Sequence, residues 1–245
     1  MGSFSRVQIA RLAGLLYLIV AVSGGFSELV VRSGVKVAGD ATATAENIRA
    51  SAPLFRLGFV TDLIDITTFV LLGFVLYVLL SPVNRRVAAT FVVFNAIAAA
   101  VMSANMINHV GALLVATDPV FTATLGAPSA NGLALFFTDL HHQGYLIAQI
   151  FFGGWLLPLG YVVYKSGFFP RALGVLLMIG CASYVVEMGA TYLSPQFDSA
   201  GVVLLAMPAA IAELAFTVWL LVKGARPEAD TEFTTAQISG RAATA

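Results

Sequence analysis

Residues 57–80 read LGFVTDLIDITTFVLLGFVLYVLL, an almost continuous apolar run that carries two acidic side chains, Asp62 and Asp65. An α-helix rises about 1.5 Å per residue, so about 20 predominantly apolar residues cross the roughly 30 Å of hydrocarbon in a bilayer. Strands of a membrane β-barrel alternate apolar and polar residues instead, and this run does not. The stretch therefore predicts a transmembrane helix.

Six stretches of this kind follow one another along the chain. The composition agrees, because 59% of the 245 residues are hydrophobic and only 11% are charged, against about 45–50% and about 25% in soluble domains. We expect an all-α, polytopic transmembrane bundle in a single domain, residues 1–226, followed by a disordered cytoplasmic tail, residues 227–245. The predicted spans are approximately Leu12–Val31, Leu57–Leu80, Val87–Val115, Leu133–Tyr164, Ala172–Leu193 and Gly201–Val222.

The first stretch also resembles a secretory signal, because Arg6 and Arg11 precede its apolar core. Its apolar run continues to Val31, however, and no small-residue cleavage site of the A-x-A type interrupts it. We therefore predict that it is retained as the first span.

The orientation follows from the positions of the basic residues, which concentrate on the cytoplasmic side of bacterial membrane proteins. A cytoplasmic N-terminus places nine of the thirteen Lys and Arg residues inside and leaves Arg32, Lys36, Arg49 and Arg56 outside. The sequence thus predicts that both termini are cytoplasmic, in a bacterial plasma membrane. Asp40 is also a plausible N-cap for a short helix through Ala43, Ile48 and Leu54, in the first external loop.

Charge and cysteine content exclude several functions. Thirteen basic and thirteen acidic residues cancel, so nothing in the net charge points to nucleic acid. Cys181 is the single cysteine, and neither a disulfide nor a Cys-based metal motif can be built from it.

Several ionisable or polar residues nevertheless fall within or at the edges of the spans. Ionised side chains there cost at least about 2.5 kcal/mol each on insertion scales, so they normally face a bundle interior or a wet cavity. All except Glu213 fall in the predicted outer half of the membrane, which predicts a pocket that opens outward. The candidates are Glu28, Asp62, Asp65, Asn105, His109, Asp139, His141, His142, Glu187 and Glu213.

Helical spacing groups some of these residues. Asp62 and Asp65 are three apart and share one face, and Asn105 and His109 are four apart on another helix. On roughly the opposite face of that second helix, Ala96, Ala100 and Ala104 form a small-residue stripe. Such a stripe predicts close packing against a neighbouring helix.

Three kinds of chemistry fit this set. His109 and His141 with Asp62 and Asp65 offer the nitrogen and oxygen ligands of zinc or another divalent metal, which would support hydrolysis within the membrane. Carboxylates at membrane depth, Glu213 above all, are typical of proton- or cation-coupled transport. In the remaining interpretation the groups bond one another across helices. We expect Glu213 to be neutral or paired, with Asp62, Asp65 or His109 as candidate partners.

The chain also resembles a known family over most of its length, from Arg11 to Gly224. The resemblance is carried by Arg11-Leu12-Ala13-Gly14-Leu15-Leu16-Tyr17, by Leu54-Phe55-Arg56-Leu57-Gly58-Phe59 with Asp62, by Pro82-Val83-Asn84-Arg85, by Asp139-Leu140-His141 with Gly144-Tyr145, and by Lys165-Ser166-Gly167-Phe168-Phe169-Pro170-Arg171. These stretches resemble the domain of unknown function 4386 family of uncharacterised bacterial multi-pass membrane proteins.

The resemblance implies a multi-pass fold but no activity. It also implies that His141 and Tyr145, rather than His142, are the matching site candidates on the fourth span. From the polar residues within the spans, we expect an outward-facing pocket that binds a small or lipid-like molecule. A transporter, a metal-dependent hydrolase and an accessory subunit of a membrane complex stay open as alternatives, as does a homo-oligomer.

Overall fold

The computed structural model of the protein describes residues 5–194 and 199–226, so the predicted tail, residues 227–245, lies outside the described residues. The described residues form helices joined by short turns, in the following order. These helices are α1 (Arg6–Phe26), a π-helical segment (Ser27–Arg32), α2 (Ser33–Val35), α3 (Ala41–Ala50), α4 (Ala52–Leu80), α5 (Arg85–Thr117), α6 (Pro119–Leu125), α7 (Ala127–Lys165), α8 (Arg171–Leu193) and α9 (Ser199–Val222).

Six helices in the described part of the chain are long and apolar enough to cross a membrane. The first of them combines α1, the π-helical segment and α2 into one span, Arg6–Val35, and the others coincide with or lie within α4, α5, α7, α8 and α9. The all-α fold with six spans that the sequence predicts is therefore confirmed.

The six spans form a closed ring. Each packs against the next one in the chain, in the order α1, α4, α5, α7, α8, α9, and α9 packs back against α1. The short helices α3 and α6 lie at one end of the ring, which we call the α3 end. The other end, which we call the turn end, carries the start of α1, the end of α9 and the turns before α5 and α8.

Side-chain caps and proline fix several helix starts. The Asp40 carboxylate accepts a hydrogen bond from the Ala43 backbone N–H at 2.9 Å, which confirms Asp40 as the N-cap of α3. The predicted extent of that helix was wrong, because α3 ends at Ala50 and Leu54 belongs to α4. Pro53 lies in the first turn of α4. Backbone N–H groups in a first turn have no partner within the helix, so proline is tolerated there.

Small residues set how closely the helices approach. A Cβ added to Gly160 on α7 would lie 2.6 Å from the carbonyl oxygen of Gly174 on α8, so the two backbones are in direct contact. The predicted packing role of Ala96, Ala100 and Ala104 was wrong within this chain, because all three are exposed on α5. The neighbouring face of α5 is buried instead.

Candidate functional site

The α3 end of the first span carries the residue that organises the polar interior. Here the backbone widens into the π-helical segment Ser27–Arg32, a feature that is rare and often found at functional sites. Glu28 and Arg32 bracket this segment, and the Arg32 Nε donates to the Glu28 carboxylate at 2.7 Å. The guanidinium then extends away from α1 towards α4.

Arg32 forms a second ion pair with Asp62 on α4. Its Nη1 lies 2.6 Å from Asp62 Oδ2, and its Nη2 lies 3.4 Å from Oδ1. The side chains of Arg32 and Asp62 are only 13% and 4% exposed, whereas that of Glu28 is 57% exposed. A buried charge is tolerated when a partner of opposite charge and good geometry accompanies it, and Arg32 supplies this for Asp62.

Two cavities meet at this ion-paired group. The outer chamber has a volume of about 290 Å³ and lies towards the α3 end, and the inner chamber has a volume of about 190 Å³ and extends deeper into the ring. Glu28, Arg32 and Tyr145 line both chambers and so form the boundary between them. The remaining residues of the outer chamber are Ser33, Lys36, Ala38, Thr138, His141 and His142.

The inner chamber lies where the six spans converge, because every one of them contributes to its wall. Four carboxyl groups line it, those of Glu28, Asp62, Asp65 and Glu213, and Arg32 is the only basic residue of that lining. Five aromatic residues form half of the remaining lining. They are Phe69, Tyr145, Phe152, Trp155 and Tyr184.

Glu213 lies within α9 and faces the inner chamber. Its carboxylate accepts a hydrogen bond from the Tyr184 hydroxyl on α8 at 3.2 Å. The sequence predicts that Glu213 is neutral or paired with Asp62, Asp65 or His109, whereas the hydrogen-bond partner in the structure is Tyr184. The buried Tyr17 hydroxyl on α1 also lies close enough to interact with the Glu213 carboxyl group.

Two histidines lie beside Asp62. A nitrogen of His109, a nitrogen of His141 and an oxygen of Asp62 all lie within 4.8 Å of one another, and the three residues are buried. His109 Nε2 is 2.9 Å from the carbonyl oxygen of Phe55. Because a carbonyl oxygen only accepts hydrogen bonds, Nε2 carries a proton and Nδ1 is the nitrogen left for another partner.

This cluster contains three of the four predicted metal ligands, whereas Asp65 lies on the inner chamber. Its charges are already balanced, however, because both oxygens of Asp62 face the Arg32 guanidinium. A divalent ion bound to Asp62 would lie next to that guanidinium, and like charges this close repel strongly in a low-dielectric site. The arrangement favours an ion-paired network over a metal centre.

We therefore expect chelation to leave the stability of the protein unchanged. Treatment with EDTA should not shift the thermal unfolding midpoint of the protein in detergent, because Arg32 rather than a metal neutralises Asp62. A fall in the midpoint that zinc restores, and that is absent in His109→Ala, would show instead that the cluster binds a metal ion.

The other predicted site residues lie outside both chambers. The Asn105 amide on α5 donates to the backbone carbonyl of His141 at 2.8 Å and so fastens α5 to α7. Glu187 on α8 accepts from the Gln149 amide on α7 at 2.7 Å. Asp139 forms a half-exposed ion pair with Lys36 at 2.8 Å, at the rim of the outer chamber.

Sequence reasoning missed three residues that shape the site. It assigned Arg32 to an external loop, although the spacing of four between Glu28 and Arg32 is a usual signal for an ion pair on one helix face. It did not select Tyr17 or Tyr184 either, because an isolated tyrosine in an apolar span carries no distinctive pattern. These two hydroxyl groups come close to Glu213 only because α9 packs between α8 and α1 in the folded protein.

A ring of six helices that are long and apolar enough to cross a membrane defines a multi-pass membrane protein. The chain belongs to the family described as domain of unknown function (DUF4386), whose model matches residues 12–224. This confirms the resemblance found in the sequence.

A relative from Archaeoglobus fulgidus, described as an uncharacterized protein, is 28% identical over 167 residues. The match covers 68% of this chain and 80% of the relative. No solved structure matches the chain.

Proposed function

We propose that the protein is an outward-facing intramembrane binding protein for a small molecule, located in the plasma membrane. The observation that carries the proposal is the inner chamber, to whose wall five of the six spans contribute polar or aromatic side chains and α5 contributes Met102. Ligand pockets are mostly apolar cavities with a few convergent polar groups, and this composition matches that description. A helix bundle that served only as a membrane anchor would have no need of such a chamber.

The direction of access supports the same proposal. The outer chamber continues the inner chamber towards the α3 end, whereas Trp155, Tyr17 and Phe216 pack together between the inner chamber and the turn end. Basic residues are concentrated at the turn end, which is the cytoplasmic side under the positive-inside rule. The pocket then opens to the extracytoplasmic side.

The size of the chambers limits the ligand. Pockets for drug-sized molecules have volumes of about 300–1,000 Å³, and the inner chamber has only about 190 Å³. The ligand, or the part of it that enters the inner chamber, is therefore smaller than a typical drug molecule. A lipid ligand would place a polar headgroup here and leave its acyl chains outside.

Gly25 offers a direct test of access. This glycine lines the inner chamber, and a Cβ added to it meets no atom within 4 Å. In a Cys181→Ser background, Gly25→Cys should react with a small membrane-impermeant methanethiosulfonate reagent that is added outside intact cells. The rate of modification, followed by mass spectrometry, is the measurement.

Two further cysteine variants provide the controls. Gly34→Cys, at an exposed and uncrowded position of the α3 end, should react from outside, and Arg85→Cys at the turn end should react only in inverted vesicles. Modification of Gly25→Cys only in inverted vesicles, or of Arg85→Cys from outside, would reverse the orientation and contradict the proposal.

A further inference from the structure

The inner chamber contains more acid than base. Arg32 already pairs with both Glu28 and Asp62, so the other two carboxyl groups of the wall have no basic partner among the described residues. Asp65 accepts only a long hydrogen bond from the Ser23 hydroxyl, at 3.4 Å, and Glu213 accepts from Tyr184. Carboxylates at membrane depth normally have a partner cation or a proton.

The aromatic wall indicates which kind of cation fits. Phe69 lies in ring contact with both Trp155 and Phe152, at centroid distances of 5.0 and 5.5 Å, and Phe152 contacts Tyr145 at 6.0 Å. Aromatic faces attract alkylated ammonium groups, and such cages recognise quaternary ammonium ligands. A hard metal cation such as Ca²⁺ would instead need about six to eight oxygen ligands, whereas the two wall carboxyl groups without a basic partner, Asp65 and Glu213, supply at most four.

Both polar neighbours of Glu213 are hydroxyl groups. Tyr184 donates to its carboxylate at 3.2 Å, and the buried Tyr17 hydroxyl lies close enough to interact with it. Neither neighbour carries a positive charge, so Glu213 still lacks a basic partner among the described residues.

We propose that the inner chamber binds one compact organic ammonium ion, held between Asp65 and Glu213 and enclosed by the rings of Phe69, Tyr145, Phe152 and Trp155. The proposal rests on the proposed function, because the ion must enter through the outer chamber. Arg32 stays paired with Glu28 and Asp62 at the boundary, so its charge is compensated as the ligand passes.

The tryptophans allow a direct test. The chain has two, Trp155 in the chamber wall and Trp219 on the α9 surface away from it. In a Trp219→Phe protein in detergent, Trp155 is the only tryptophan, and its emission should change saturably as tetramethylammonium chloride is added. Sodium chloride at the same ionic strength should produce no saturable change.

Carboxyl variants in the same background identify the binding groups. Asp65→Asn and Glu213→Gln together should weaken the apparent affinity for tetramethylammonium at least tenfold, and Phe69→Leu should weaken it as well. Asp118→Asn serves as the matched control, because Asp118 caps α6 at the surface and Asn caps helices equally well. This variant should bind like the parent protein.

The outcomes separate this inference from the proposed function. If Trp155 does not respond, or responds equally in the double carboxyl variant, the ammonium site is wrong. If Gly25→Cys still reacts from outside in that case, the outward-facing pocket stands and its ligand belongs to another class. If Gly25→Cys is also unreactive from outside, both proposals fail.

Discussion

Replacing Arg32 with methionine is expected to lower the free energy of unfolding by about 3–5 kcal/mol, the usual cost of leaving one partner of a buried ion pair uncompensated. Asp62, only 4% exposed, would lose the guanidinium that faces both of its oxygens. An SDS titration of the purified protein, followed by circular dichroism, measures the change.

Two comparisons make this prediction specific to the buried pair. The double variant Arg32→Met with Asp62→Leu should recover most of the lost stability, because replacing a buried ion pair by apolar residues is often neutral or stabilising. Lys36→Met should cost less than about 1 kcal/mol, because its partner Asp139 is 49% exposed and exposed pairs contribute little. Equal losses in Arg32→Met and Lys36→Met would contradict the organising role of Arg32.

The second large effect concerns charge selectivity. At Gly25→Cys, a methanethiosulfonate reagent with a trimethylammonium group should react about 10–1,000 times faster than one with a sulfonate group, the range by which clefts of one charge concentrate counter-ions. The physical reason is that four carboxyl groups and one guanidinium line the chamber. Mass spectrometry of samples quenched over time gives both rates.

The matched reference is Gly34→Cys, which lies outside the chambers and reports the intrinsic reactivities of the two reagents. At each cysteine, the rate with the trimethylammonium reagent is divided by the rate with the sulfonate reagent. This rate ratio at Gly25→Cys, divided by the rate ratio at Gly34→Cys, should fall towards one when Asp65→Asn and Glu213→Gln are added. If the two rate ratios were equal without these substitutions, the chamber would have no negative electrostatic potential that attracts cations, which would contradict the prediction.

The spans were predictable because the bilayer imposes a length and a composition that local sequence must satisfy. The predicted span from Leu57 to Leu80, for example, lies entirely within α4, which begins five residues earlier at Ala52. The face shared by Asp62 and Asp65 was predictable as well, from helical spacing alone. Both residues line the inner chamber.

The residues that pair across helices were not predictable. They depend on how each helix is rotated about its axis and on which helices are neighbours in the bundle. Glu213 pairs with Tyr184 rather than with the residues of α4 or α5 that its depth suggested. The exposed stripe of Ala96, Ala100 and Ala104 failed for the same reason. Small residues permit close packing, but the spacing does not say which face of a helix meets a neighbour.

Arg32 shows a different limit. Counting basic residues places it at the outer end of the first span, which agrees with its position at the α3 end. Counting does not reveal that the side chain turns inward, since that depends on the π-helical segment and on Asp62 in another helix. Reading Glu28 and Arg32 as an ion pair would have directed attention to the polar interior.

The most direct measurement is a high-resolution electron cryomicroscopy map of the protein in lipid nanodiscs, equilibrated with tetramethylammonium. We expect density for one compact ligand in the inner chamber, between Asp65, Glu213 and Trp155, with the Arg32–Asp62 pair intact and an aqueous path to the α3 end. A map in which side chains fill the chamber, or in which Asp65 and Glu213 face lipid, would contradict this expectation.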